Sequence, residues 1–549
     1  MWVQLNFHCA FCLARRHNHR HVKPESSIAP TRSYALAFGL FLGLCLWKFG
    51  DPVILDHKIG TPSTLSDFLG DAWPTHWANW ILAPLAAWGA LLIFQGGRSR
   101  LPSKWFWLLP LLWLGWQAIS ATQSVDDDLT TATLWQYGGC AVCFFLGALI
   151  FSRDQLARWL LVGLLAAFAF CLVRAVNQRL FEYPQSLQAL IAGEHDGWTN
   201  FPPATVAEMK RENIIVNTNG VDVANPVILA KFAKGRVSGT LVYPNALAEI
   251  ILLLWPVSLV LALSATRKFK PFIRLAVIAL TLFLGAAAFF WTGSKLGWLI
   301  AVALAGLLLL RLDWPKRLKF AATAAVLILG LGLFAVRFHH YFAAGAASAG
   351  ARFDYWRAAA QTTAAHPWLG TGPGTFQRPY AQLKSPASEM ARLAHNDYLE
   401  QFSDSGLIGG LAYAAWILLA LAVLARRLWP VGAGQPIPLG RAVESSPLKS
   451  RLASLKPRQS SRLVGHERGK ESSLSPGERV GVRASVLPPE VALEVRGDGS
   501  QPGFQARFSF ALFLGLVGWF AQGFGEFGLF VPALAWTAFT LLGCLIGLE

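Results

Sequence analysis

Twelve stretches of this chain run for 15 to 25 residues with almost no charge, and that repetition constrains the fold more than any other feature. A helix crossing the hydrocarbon core of a bilayer needs about 20 mostly apolar residues, and fewer where its flanks reach the headgroups. The runs are Tyr34–Phe49, Trp77–Phe94, Trp105–Ser120, Leu134–Phe151, Leu156–Val173, Leu241–Ala265, Phe272–Trp291, Leu296–Leu310, Leu318–Val336, Leu407–Ala425, Phe508–Phe524 and Phe527–Gly547. Composition points the same way. Of 549 residues 54% are hydrophobic and 14% charged, against about a quarter charged in soluble domains. The expected fold is all-α, a polytopic membrane protein with about 12 transmembrane helices.

The formal net charge of +17 has two explanations, a surface for nucleic acid or basic loops on the cytoplasmic side of a membrane. With a cytoplasmic N-terminus, the short inner loops hold Arg98, Arg100, Lys104, Arg153, Arg267, Lys268, Lys270, Arg311, Lys316 and Arg317. The short outer loops hold only Lys58 and Lys295. Ten against two follows the positive-inside bias and places both termini in the cytoplasm. The chain then divides into a tail (1–33), five spans (34–173), an outer segment (174–240), four spans (241–336), a large helical outer segment between spans 9 and 10 (337–406), span 10 (407–425), an inner insert (426–507) and the last two spans (508–547). The first run lacks a small-residue cleavage site and is expected to be a signal anchor. The insert has 14 basic and 7 acidic residues with much Ser, Pro and Gly, a composition that cannot bury a core. It lacks the stacking aromatics of a nucleic-acid arm, so an inert insertion is expected and nucleic acid is excluded as a partner. Five cysteines lie in apolar runs, and Cys9 and Cys12 lack a second ligand pair, so neither a disulfide framework nor a zinc site is expected.

Segment 337–406 carries the chemistry-bearing residues. Arg352–Ala365 reads as a helix stopped by His366-Pro367. Gly370-Thr-Gly-Pro-Gly374 reads as a tight turn with exposed backbone amides. Ser385-Pro386 resembles an N-cap with proline at N1, opening a helix to about Asp404, with Arg392, His395, Asn396 and Leu399 on one face. A histidine takes a proton near neutral pH without special tuning, and an arginine grips phosphate oxygens in bidentate fashion. The plainer alternatives are that His395 packs against a neighbouring helix and that Arg352 anchors at the lipid surface. Asp126-Asp127-Asp128, Asp51 and Asp56 could be read as metal or acid sites, but acidic residues in turns between spans more often cap helices. Trp73, Trp77, Trp105 and Trp291 read as interfacial anchors. In the other outer segment, Asn213–Val223 with Asn219-Gly220 reads as a β-hairpin.

The order of several motifs resembles the O-antigen ligase and polymerase superfamily. They are Arg236-Val-Ser-Gly239 with Pro244-Asn245, Thr292-Gly-Ser-Lys-Leu-Gly-Trp298, and Arg352-x-x-Tyr355-Trp356. Pro367-Trp-Leu-Gly370-x-Gly372-x-Gly374-x-Phe376, Ala394-His395-Asn396-Asp397-Tyr398-Leu399-Glu400 and Gly406-Leu-Ile-Gly409 follow. The resemblance covers roughly residues 230–425. It implies a bacterial inner-membrane glycosyltransferase with its active site facing the periplasm. Such an enzyme moves a glycan from undecaprenyl diphosphate to a hydroxyl of a glycolipid, glycan or protein acceptor, with inversion and without metal or cofactor. It implies His395 as general base, Arg352 and Lys295 as ligands of the diphosphate, and Arg236 as a third, with Asn396, Tyr398 and Trp356 in support. Lys295 stands where the family usually has arginine, keeping the charge without the planar fork. A repeat-unit polymerase of the same superfamily is an alternative. So are a solute transporter, which should carry charged or broken helices at mid-membrane, and a metal-dependent transferase relying on Asp51 or Asp126.

Overall fold

The computed structural model describes residues 29–96, 103–312, 314–386, 388–429 and 502–548. The Cys9/Cys12 pair and all but the ends of the 426–507 insert lie outside the described residues. In chain order the elements are α1 (Ala29–Lys48), α2 (Leu65–Gly70), α3 (His76–Gly96), α4 (Trp105–Ser120), α5 (Asp127–Leu149), α6 (Asp154–Asn177), α7 (Tyr183–His195) and α8 (Pro203–Arg211). Strands β1 (Ile215–Thr218) and β2 (Val221–Ala224) precede α9 (Pro226–Lys234), α10 (Pro244–Ala265), α11 (Pro271–Thr292), α12 (Lys295–Arg311) and α13 (Lys316–Ala343). The remainder are α14 (Ala347–Ala365), α15 (Gln377–Leu383), α16 (Asp397–Leu428), α17 (Pro502–Gln522) and α18 (Pro532–Gly547).

Each of the twelve apolar runs falls on a helix, and among the described residues seven helices are long and apolar enough to cross a membrane. The chain is an all-α, multi-pass membrane protein whose described sheet is one hairpin. The last run is shorter than expected. Gly528–Phe530 forms a 3-10 turn, and α18 opens only at Pro532, whose fixed φ suits the first helical turn.

Apolar surface cannot drive helices together inside lipid, so close backbone approach must. Gly39 and Gly43 on α1 face Gly163 and Ala167 on α6. A Cβ on Gly39 would lie 2.1 Å from the Leu160 carbonyl oxygen, and one on Gly163 would lie 2.6 Å from the Leu40 nitrogen. The same device joins α5 to α18, where a Cβ on Gly147 would sit 2.2 Å from the Thr540 carbonyl and one on Gly543 2.1 Å from that of Phe144. Trp113, Trp416, Trp519 and Trp536 are fully buried within the bundle.

The hairpin forms with Thr218 paired to Val221 across Asn219-Gly220. Both turn residues have positive φ, 54° and 85°, as a two-residue turn matching strand twist requires. Helix α14 starts five residues before Arg352 and ends at Ala365 as expected.

Two local expectations are corrected. The helix read from Ser385-Pro386 is absent. Ser385 closes only a single turn, through Ser388 N–H donating to its carbonyl at 3.0 Å. The true N-cap is Asn396, whose side-chain oxygen accepts from Tyr398 N–H at 3.1 Å and Leu399 N–H at 3.0 Å. His395 precedes that cap with a φ of 50°, so it and Arg392 share no helical face with Leu399. A side-chain oxygen satisfying two free amides specifies a helix start better than the Ser-Pro pair does. The Gly370–Gly374 turn is buried, not exposed. Its amides are used internally: Thr371 N–H donates to Ser403 O, Gly372 N–H to Asp404 O, and Gly374 N–H to Asp404 Oδ2 at 2.6 Å. This turn pins the α14–α15 segment to α16, which continues through a kink at Gly406.

Candidate active site

Four loops and helix ends bring the basic residues together. Arg236 follows α9 and the left-handed Gly235. Its Nε donates to the Thr292 carbonyl at 2.6 Å and its terminal nitrogen to Asn245 Oδ1 at 2.8 Å. Those contacts tie the segment entering α10 to the α11–α12 turn. In that turn Ser294 caps α12 by accepting from Gly297 N–H, which sets Lys295 at the first helical position. The Lys295 ammonium lies 3.9 Å from the centre of the Tyr341 ring and 5.5 Å from that of Phe338, both on α13.

Arg352 projects from α14 to Glu526 in the turn between α17 and α18. Glu526 is 1% exposed. Its Oε1 accepts from Arg352 at 2.5 Å and from Asn245 Nδ2 at 2.7 Å. Its Oε2 accepts from the Tyr243 hydroxyl at 3.2 Å and faces His395 Nδ1 at 3.5 Å. The last distance is longer than a well-formed hydrogen bond, and Nδ1 has no hydrogen-bond partner among the described residues. The His395 ring is held between Tyr355, stacked at 5.9 Å, and Phe527, edge-on at 4.8 Å.

Burial acts to raise the Glu526 carboxyl, but His395 and Arg352 outweigh it and hold the group below the ordinary glutamate value. Lys295 is also pushed down, to about 8, first by burial and then by repulsion from Arg236, Arg352, Arg337 and Lys234, which here disfavours the charged form. These cations are therefore incompletely neutralised by the protein, and an anion placed among them would relieve the repulsion.

Of the residues expected to act, the structure brings Arg236, Lys295, Arg352 and His395 into this one region. Asn396, next to His395 in the chain, is the α16 N-cap. Tyr398 instead stacks on Phe524 at 4.3 Å and donates to the Phe520 carbonyl at 3.1 Å, so it packs α16 against α17. Trp356 lies edge-on to Phe353, with its ring nitrogen buried and unpartnered among the described residues. Glu526 was not singled out from sequence. The available signal was a carboxylate between two apolar runs with no basic residue nearby in the chain, a placement that calls for a distant partner.

Two of the rival acidic positions, Asp126 and Asp56, are already engaged. Asp126 caps α5 through Leu129 N–H at 3.2 Å and takes Arg378 at 2.5 Å. Asp56 accepts from the Thr75 amide and hydroxyl and contacts the His76 ring. No group of three His, Cys, Asp or Glu among the described residues is placed to hold a metal ion.

Fold and site together define a multi-pass membrane protein with a cationic, histidine-bearing site where helix ends meet. Residues 280–414 match the family model described as O-antigen ligase, which places this segment in the O-antigen ligase and polymerase superfamily. Members of that family are glycosyltransferase-like enzymes acting on lipid-linked glycans in a membrane. No curated protein matches the chain.

Proposed function

We propose that the chain is a metal-independent, inverting glycosyltransferase of the bacterial inner membrane, ligase-like, that moves a glycan from undecaprenyl diphosphate to an acceptor hydroxyl facing the periplasm. In this reading it has twelve spans, both termini in the cytoplasm, and acts in surface polysaccharide biosynthesis. The observation that carries the reading is the incompletely neutralised cluster of Arg236, Lys295 and Arg352 beside a partly exposed histidine.

Cleavage of a lipid diphosphate leaves growing negative charge on the departing oxygen, and fixed cations stabilise that charge without reorganising. Arg352 and Lys295 take this role, with Arg236 completing the cradle. His395 removes the acceptor proton as the hydroxyl oxygen attacks the anomeric carbon. The bond to diphosphate breaks on the opposite face, and the leaving group keeps the bonding electrons.

The test is His395→Ala in a deletion strain, with surface glycolipids analysed by gel and mass spectrometry. Loss of transfer of at least about a hundredfold is expected, with the protein still inserted at normal abundance. Normal transfer would refute the mechanism. The same glycolipids separate the two relatives: unattached full-length chains indicate a ligase, and attached single repeat units indicate a polymerase.

A further inference from the structure

Glu526 is the only carboxylate among the described residues recorded in contact with both halves of the site, and its two oxygens divide between them. Oε1 takes Arg352 and Asn245, and Asn245 in turn holds Arg236. Oε2 takes Tyr243 and faces His395 Nδ1. We infer that Glu526 is a positioning residue that sets the base and the phosphate-binding arm in one geometry, fixing His395 through Oε2 and Arg352 through Oε1.

This rests on the function proposed above. As His395 takes the acceptor proton on Nε2, the ring becomes cationic, and the long Nδ1 contact becomes a charge-assisted hydrogen bond to Oε2. The proton stays on the imidazole until bulk solvent removes it, so Glu526 gains no proton and loses none. A carboxylate fixed behind an imidazole orients it and stabilises its charged form. Because Glu526 is buried and hydrogen-bonded by groups from α10 and α14, it cannot follow solvent fluctuations. Arg352 lies 174 residues before Glu526 in the sequence.

The experiment compares full-length wild type, Glu526→Gln, Glu526→Asp, His395→Ala and the Glu526→Gln/His395→Ala double variant in proteoliposomes. The donor is undecaprenyl-diphosphate-linked glycan extracted from the native strain, and the acceptor is membrane from a deletion strain. Glu526→Gln keeps the size and two oxygen–nitrogen contacts but removes the charge. A fall in kcat of about a hundredfold is expected, with a much smaller change in KM, and about tenfold recovery in Glu526→Asp. In the His395→Ala background, Glu526→Gln should cost little more, because residues acting through one another are non-additive.

Thermal unfolding of each variant is followed in parallel, and a Gln variant that fails to fold is replaced by Asp alone with its kcat compared to wild type. Wild-type kcat in Glu526→Gln, or equal losses in the presence and absence of His395, would overturn the inference. Failure of wild type to transfer glycan at all would instead refute the function, and binding of undecaprenyl diphosphate by wild type and Glu526→Ala, which removes both oxygens, then remains as the readout. Equal affinity of the two overturns the Arg352 arm of the inference.

Discussion

Lys295 offers a test of the anion site that needs no acceptor. Burial and four neighbouring cations hold its ammonium at about 8, so the free protein carries it roughly 90% charged at pH 7 and roughly 10% charged at pH 9. The sign follows directly: the depressed value means that the cation is present below 8 and lost above it. A diphosphate that needs this charge should bind about ninefold more weakly at pH 9 than at pH 7, because only the charged fraction competes for it. Lys295→Arg replaces the titrating group by one that stays charged throughout, and its affinity should be flat over the same range. The measurement is the Kd of undecaprenyl diphosphate for the full-length protein in nanodiscs at fixed ionic strength, from pH 6.5 to 9.5. Wild-type affinity that does not change, or an identical alkaline loss in Lys295→Arg, would refute the assignment of Lys295 to the diphosphate.

Two further outcomes follow from geometry already described. Gly147→Leu, which would drive a side chain into the Thr540 carbonyl, should destabilise the detergent-solubilised protein by about 1–3 kcal/mol, seen as a lower midpoint in thermal unfolding. Gly332→Leu on α13, where nothing lies within 4 Å, is the matched control and should leave that midpoint unchanged. Asp126→Asn keeps a capping oxygen for Leu129 and loses only an exposed pairing with Arg378, so transfer should stay within about threefold of wild type and be insensitive to EDTA. Loss of transfer restored by a divalent cation would move the chemistry to the acidic turns.

The parts of the molecule that were legible from sequence are those written in long, repeated signals. A 20-residue apolar run is helical in lipid because no other local structure satisfies its backbone there, and all twelve runs fall on helices. The Asn219-Gly220 hairpin was legible because two adjacent residues tolerating positive φ rarely have another purpose. The Ser385 segment misled because Ser-Pro is a valid cap pattern in isolation, and the competing cap at Asn396 is distinguished only by where the chain packs. Arg236, Lys295, Arg352 and His395 could be named one by one. The resemblance implied that they share one substrate, but the buried carboxylate between them could not be read, since Glu526 and Asn245, which bridges Arg236 to it, meet only in the fold.

The position of Glu526 also sets an order of events in the making of the protein. It sits in the turn between α17 and α18, 98 residues beyond the end of α16 at Leu428 and after the whole basic insert. The chain that leaves the ribosome first therefore contains three cations and a histidine with no carboxylate to fix them. Only when the segment joining α17 to α18 has been made does the turn at Gly525-Glu526 arrive among them. On the proposed function, the carboxylate that holds Arg352 and His395 is therefore the last part of the site to be synthesised.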